Sequence, residues 1–357
     1  MAEQQIMVDE AARRALREDL ARFHCRVQQP DDPPLFSRSP DSAMQTVQWK
    51  WTDLEPLLDR LGRELTLEPG GNRRTLRLQN PGLPYGTTHT FWASIQVILP
   101  GEVAGNHRHT ANAFRFVMKG GGATTTVNGE RYAMHEGDLV LTPSMMWHDH
   151  EYHGDTPMIW LDVLDISLMK SMHATFFEPG QQPQQPVDAI PDRSWRQYGS
   201  GLMSPPGPQR DGANPLLVYP RAMAEDALRQ AAGLPADPYD DVVLEYRNPT
   251  NGGPAMSTLG MRLQTLRSGT HTRARRHTGS KLYYVVRGEG ATIVDGRRYD
   301  WSTGDFLAIK PWAWHEHVGS SRDDALLFQV NDIPAMSALG YYFEEALAGN
   351  GGHQQPA

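Results

Sequence analysis

Two histidines, His107 and His109, stand one residue apart in the segment PGEVAGNHRHTANAFRF (residues 100–116), and a third, His148, follows about 40 residues later in WHDH. A neutral imidazole offers one nitrogen lone pair to a metal and one N–H to an anchor. Side chains alternate faces along a strand, so His107 and His109 point to the same side. His148, arriving on an adjacent strand, brings a third imidazole to the same point. Three such groups make a facial metal site with open positions opposite. The plainer reading, a polar pocket with local hydrogen bonds, suits a single histidine better than this spacing.

The frame for these residues is an internal repeat. FVMKGGGATTTVNGERY (116–132) aligns with YVVRGEGATIVDGRRY (284–299). Gly101 matches Gly269, His109 matches His277, Gly137-Asp138 matches Gly304-Asp305, and WHDH (147–150) matches WHEH (314–317). Two strand-rich, glycine-punctuated copies of about 100 residues predict a duplicated small β-barrel. At the position of His107 the second copy has Arg275, although His277 and His315 remain. A guanidinium stays charged and cannot ligate. The second copy is expected to keep the fold and lose the metal, or to bind one weakly with water completing the set.

Around the two copies the chain changes character. Ala12, Leu16, Leu20 and Phe23 recur at helical intervals, as do Leu54, Leu57, Leu58 and Leu61. The expected organisation is a helical N-terminal arm (1–74), a metal-bearing module (75–177), and a Pro/Gln/Gly-rich connector with a short helix near Ala222–Ala231 (178–240). A second module with a degenerate site (241–348) and a disordered tail (349–357) complete it. The fold class is therefore all-β with a helical arm. A formal charge of −8 and no basic patch argue against nucleic acid as a partner. The one cysteine, Cys25, excludes a disulfide within the chain. No apolar run reaches the length of a membrane helix, and the first residues lack the apolar core of a signal peptide, so a cytoplasmic protein without a membrane partner is expected.

Gly101, His107 and His109, followed by Gly137, Pro143 and His148, resemble the two motifs of the cupin superfamily, and the likeness runs from about residue 75 to 340. Many cupins add a glutamate ligand shortly after the histidine pair. Here TANAFRF offers none and places Arg115 nearby. A dication held by neutral ligands beside an arginine suits a chelating anion, although Arg115 can also serve an ordinary salt bridge.

Three stretches, WASIQVILPGEVAGNHRHTANAFRFVMKG, GDLVLTPSMMWHDH and WLDVLDI, narrow the likeness to the gentisate 1,2-dioxygenases and their salicylate-cleaving relatives, with RRTLRLQNPGL (73–83) matching their pre-barrel segment. That resemblance implies two tandem cupin barrels. It implies Fe(2+) held by His107, His109 and His148, and a small aromatic acid cleaved with O2 between its carboxyl-bearing and hydroxyl-bearing carbons. It implies that Arg115 grips the carboxylate, that His150 and Asp162 stand near the ring hydroxyl or para substituent, that Trp92 and Arg73 line the pocket, and that the assembly is a homotetramer. Iron comes from the resemblance, since affinity order alone favours copper or zinc at three imidazoles. Departures at Thr75, Ser94, Met145-Met146 and HDHEYHGD point to gentisate or a 5-substituted salicylate such as 5-nitrosalicylate, ahead of salicylate and 1-hydroxy-2-naphthoate. A zinc or manganese isomerase or hydrolase, and a non-catalytic binding protein, remain as alternatives.

Overall fold

The structure, a computed structural model, describes residues 10–28, 32, 34–65, 74–188, 190–203, 205, 213–320 and 322–355. The chain divides into two units, Met1–Asp41 and Ser42–Ala357. The first holds the helix Glu10–Arg22, along which Leu16 and then, just beyond its end, Phe23 stay exposed. Leu20, on the same helix, is half-buried.

The second unit contains two antiparallel sandwiches. In the first barrel a six-stranded sheet runs in the order Val218–Tyr219, Leu139–Thr142, Ala113–Lys119, Met158–Leu164, Trp92–Ile98, Thr75–Arg77. It faces a five-stranded sheet ordered Phe177–Pro179, Val103–His109, His148–Glu151, Gly121–Val127, Glu130–His135. The second barrel repeats this with Val47–Trp49, Phe306–Ile309, Lys281–Arg287, Ala325–Asn331, Gly260–Leu266 and Val242–Glu245 in one sheet. Its other sheet is Arg297–Ser302, Glu289–Val294, His315–Gly319, Arg275–His277 and Glu344–Ala346. This is the duplicated all-β architecture that the repeat predicts.

The strand alternation explains where the core sits. From Ala113–Lys119, Phe114, Phe116 and Met118 join an apolar cluster that also contains Tyr284 and Phe328 of the second barrel. The rings of Phe116 and Phe328 stack at 4.1 Å between centroids, so the two large sheets are joined back to back. Val117 on the opposite face packs inside the first barrel with Trp160, Met134 and Val140. Arg115, on the same face as Val117, is buried at the polar end of the same interior.

Each barrel takes an edge strand, and the start of the helix that follows it, from sequence outside its own repeat. Val47–Trp49, early in the chain, pairs with Phe306–Ile309 of the second barrel and leads into the helix Trp51–Glu64. Val218–Tyr219 of the connector pairs with Leu139–Thr142 of the first barrel and leads into the helix Arg221–Ala231. The Gly-Asp pair of each copy receives the incoming helix. Asp305 Oδ1 accepts the Trp51 N–H at 2.8 Å, and Asp138 Oδ1 accepts the Arg221 N–H at 2.9 Å. A carboxylate at a helix start satisfies an orphan donor and suits the positive end of the dipole. Gly304 and Gly137 adopt φ of +92° and +84°, and a Cβ there would collide with Trp51 and Arg221 respectively.

Residues 349–355, expected to be disordered, are instead bound along the second barrel. Gln354 Nε2 donates to Ile293 O, its Oε1 accepts from Gly296 N–H, and its own N–H donates to Glu316. These specific bonds outweigh a polar, glycine-rich composition that buries little apolar surface. Among the described residues no helix is long and apolar enough to cross a membrane.

Candidate metal centre

The strands Val103–His109 and His148–Glu151 lie antiparallel with His107 directly opposite His148. Alternation then adds His109 on one strand and His150 on the other. The register shifts between Ala104 and His107, so Gly105 and Asn106 bulge against Asp149; bulges of this kind re-aim side chains beside active sites. Ring centroids of His107, His109 and His148 are 5.6, 4.1 and 4.8 Å apart pairwise. One nitrogen from each lies within 4.8 Å of the others.

Backbone carbonyls settle which nitrogen each ring presents. His107 Nδ1 meets Gly105 O at 2.7 Å, His109 Nδ1 meets Ala111 O at 2.9 Å, and His148 Nδ1 meets Met146 O at 2.9 Å. A carbonyl only accepts, so each Nδ1 carries the proton and each neutral ring keeps its lone pair on Nε2. His148 Nε2 is buried without a hydrogen-bond partner. Burial, helped by His107, Arg115 and His109, holds the His148 pKa well below its ordinary value. Three neutral nitrogens aimed at one point fit a divalent ion of the d-block, and the set has no thiolate or carboxylate.

The opposite sheet supplies a charged wall. Asp162 stands in register between Ser94 and Arg115 on the neighbouring strands, so all three face the barrel interior. Arg115 is 1% exposed. Its Nη1 donates to Thr142 Oγ1 at 2.7 Å and its Nη2 lies 3.7 Å from Asp162 Oδ1. Burial lowers the Arg115 pKa and Asp162 partly offsets this, but a guanidinium remains charged there. Buried Arg115 Nε and Gln96 Oε1 have no hydrogen-bond partner, as expected of groups kept for a ligand.

His150 is fully buried, and its Nδ1 lies 2.8 Å from Thr125 Oγ1. Its ring stands 6.0 Å from those of His148 and Trp160. Trp92 is half-buried at the inward start of its strand, flanked by Tyr85 at 6.2 Å and by the Arg77 guanidinium at 4.7 Å. Arg73 lies outside the described residues. The structure thus brings His107, His109, His148, His150, Arg115 and Asp162 into one barrel interior, with Trp92 on the adjoining strand. Sequence reasoning missed Thr125 and Thr142. Thr125 had a visible signal, because the repeat pairs it with Thr292 (ATTTV against ATIV); Thr142 had none, because the second copy has Ile309 there.

Fold and site define a two-barrel protein whose first barrel has a metal-competent interior. The Cupin domain profile matches residues 94–164 and 262–331, one segment in each barrel. The chain is 39% identical over 347 residues to 5-aminosalicylate 1,2-dioxygenase of Comamonas sp, covering 95% of this chain and 92% of that protein. It is 36% identical over 317 residues to gentisate 1,2-dioxygenase of Streptomyces sp, covering 86% and 87%. A crystal structure of salicylate 1,2-dioxygenase from Pseudoaminobacter salicylatoxidans, an adduct with gentisate, superposes with a TM-score of 0.87 at 32% identity and 98% coverage of both chains. The chain belongs to the gentisate and salicylate 1,2-dioxygenase family of cupins. It is a ring-cleaving dioxygenase that acts on an aromatic acid with O2.

Proposed function

We propose that the ring is a 2-hydroxybenzoate bearing a hydrogen-bond donor at position 5, either gentisate or 5-aminosalicylate, opened between its carboxyl-bearing and hydroxyl-bearing carbons. The observation that carries this reading is the pairing of a three-histidine face with a buried Arg115–Asp162 couple on the sheet opposite. His107, His109 and His148 would hold Fe(2+) through Nε2. Bound there, ferrous iron supplies electrons to O2 and a chelation point for the substrate's carboxylate and phenolic oxygens.

The chain's own residues do the rest. Arg115 takes the free edge of the carboxylate with a charge-assisted hydrogen bond and fixes the ring's angle. Asp162 holds Arg115 in place and, being an acceptor only, favours a hydroxyl or amino substituent over a nitro group, which also only accepts. This weighs against 5-nitrosalicylate. His150, oriented by Thr125, receives or returns the phenolic proton. Trp92 forms an apolar wall for the ring. The exposed apolar side of helix Glu10–Arg22 supports association with further copies of the chain, and a tetrameric cytoplasmic enzyme of aromatic-acid breakdown is the setting we infer.

The test is oxygen uptake by the protein loaded anaerobically with Fe(II), run with gentisate, 5-aminosalicylate, 5-nitrosalicylate, salicylate and 1-hydroxy-2-naphthoate. Uptake stoichiometric with loss of gentisate or 5-aminosalicylate, and absent in His109→Ala, is expected. A preference for 5-nitrosalicylate would overturn the role given to Asp162. Uptake with none of the rings, despite bound iron, would overturn the substrate class.

A further inference from the structure

We propose that the second barrel carries a metal site of its own on the outside of its smaller sheet, built by His271, Glu316 and His353, for a divalent ion of the zinc type. This site is separate from the barrel interior and does not depend on the substrate assigned above. His315 and His317 point into the second barrel, so Glu316 between them points outward. It is nevertheless fully buried, because residues of the C-terminal segment lie over it. His271 Nε2 stands 3.6 Å from one carboxylate oxygen and His353 Nδ1 stands 3.3 Å from the other. The two imidazoles face each other with centroids 4.2 Å apart. Tetrahedral ligands about 2.1 Å from a zinc ion sit roughly 3.4 Å from one another; each imidazole already stands near that separation from one carboxylate oxygen, and one ligand atom from each of the three residues lies within 4.8 Å of the others. Two nitrogens and one carboxylate oxygen leave a fourth position for water.

The first barrel provides an internal control. There Gln185 plays the part of Gln354: its Nε2 donates to Thr126 O, its Oε1 accepts from Gly129 N–H, and its N–H donates to Asp149 Oδ2. With that anchor matched, His271, Glu316 and His353 align with Val103, Asp149 and Gln184. The two imidazoles of the second barrel therefore replace an apolar and an amide side chain at one spot, on either side of a retained carboxylate. A bare structural tether needs neither replacement, because Gln185 holds its segment down without them. An ion bound at His353 ties the last residues of the chain to the strand His315–Gly319.

The experiment titrates zinc into the full-length His109→Ala protein, in which the interior site has lost a ligand, and into iron-loaded wild type. One equivalent per chain is expected in His109→Ala, falling to none when His271→Val or His353→Gln is added. In iron-loaded wild type, zinc should raise the melting temperature and slow carboxypeptidase trimming of the C-terminus. His353→Gln should lose both responses while its oxygen uptake stays unchanged. No zinc bound by His109→Ala, or one equivalent persisting in both double variants, would overturn the proposal. Should the barrel-interior reading fail instead, His109→Ala would still take up its single zinc.

Discussion

The interiors of the two barrels differ in what meets the histidine nitrogens. In the first, the three Nε2 atoms converge opposite Arg115 and Asp162. In the second, Arg275 replaces His107 and forms a close ion pair with Asp240, a residue of the segment leading into that barrel. Lys281 stands at the place of Ala113 and brings its Nζ to 3.2 Å from His315 Nε2. That nitrogen is the counterpart of the one His148 keeps open. Burial, reinforced by Arg275 and Arg262 and opposed by Asp240, holds the Lys281 pKa well below its ordinary value. Tyr283 and Gln329 replace Arg115 and Asp162 and bond to each other at 2.9 Å. Tyr283 OH also lies 3.2 Å from His317 Nε2, the partner of His150 in the repeat. The second interior thus differs from the first by more than one ligand. Lys281 meets the His315 nitrogen and Tyr283 meets that of His317, while both ring nitrogens of His277, the counterpart of His109, stay buried without a hydrogen-bond partner.

Exchanging residues between the barrels gives the largest effect. His107→Arg should give the first interior the second one's character and reduce ring cleavage by on the order of 1,000-fold, with metal lost and the fold kept; oxygen uptake, metal analysis and circular dichroism measure these together. In the other direction, Arg275→His alone should bind no interior metal, because Lys281 still occupies His315. Combined with Lys281→Ala it should gain one equivalent. Metal uptake by the single variant would show that Lys281 is no obstacle and break the comparison.

A smaller effect is expected where the charged wall is made neutral. Arg115→Gln should lower kcat/KM by about 10- to 100-fold, the range of one buried charge-assisted hydrogen bond, with most of it in KM and iron content unchanged. Steady-state kinetics that leave KM untouched would remove Arg115 from substrate binding.

The smallest effect concerns stability. Burial pulls the His317 pKa from 6.5 down to about 4, with Asp240 opposing. Between those values the unfolded chain binds a proton that the folded chain resists, so this group's contribution falls as the pH drops from 6.5 to 4. The full difference amounts to about 3 kcal/mol. His317→Gln should flatten this part of the dependence, seen as urea midpoints that change less with pH than those of wild type over that window. Parallel midpoint curves for the two proteins would contradict it.

Much of this was legible in the residues. The repeat carried the two barrels, and strand alternation with a third spaced histidine carried the metal face. Arg275 at the position of His107 told that the copies had diverged. What fills the second interior was harder to see: aligning Lys281 with Ala113 is possible on paper, but only geometry shows that its amine reaches His315. The edge strands taken from outside the repeats were invisible for another reason. Val47–Trp49 and Val218–Tyr219 are too short to show a two-residue period, and the first pairs with a strand some 260 residues further on. The C-terminal segment misled through its composition, which reports how much apolar surface can be buried and is silent about single hydrogen bonds such as those of Gln354.

The crossed strand-and-helix units impose an order on biosynthesis. As the chain leaves the ribosome, the Leu139–Thr142 edge waits for Val218–Tyr219 to emerge, while Val47–Trp49, made early, has no partner until Phe306–Ile309 follows. The first barrel is therefore completed by sequence belonging to the connector, and the second by sequence made before either barrel exists. A nascent chain stopped at any point before about residue 309 carries at least one open sheet edge, the kind of edge that pairs with whatever strand it meets.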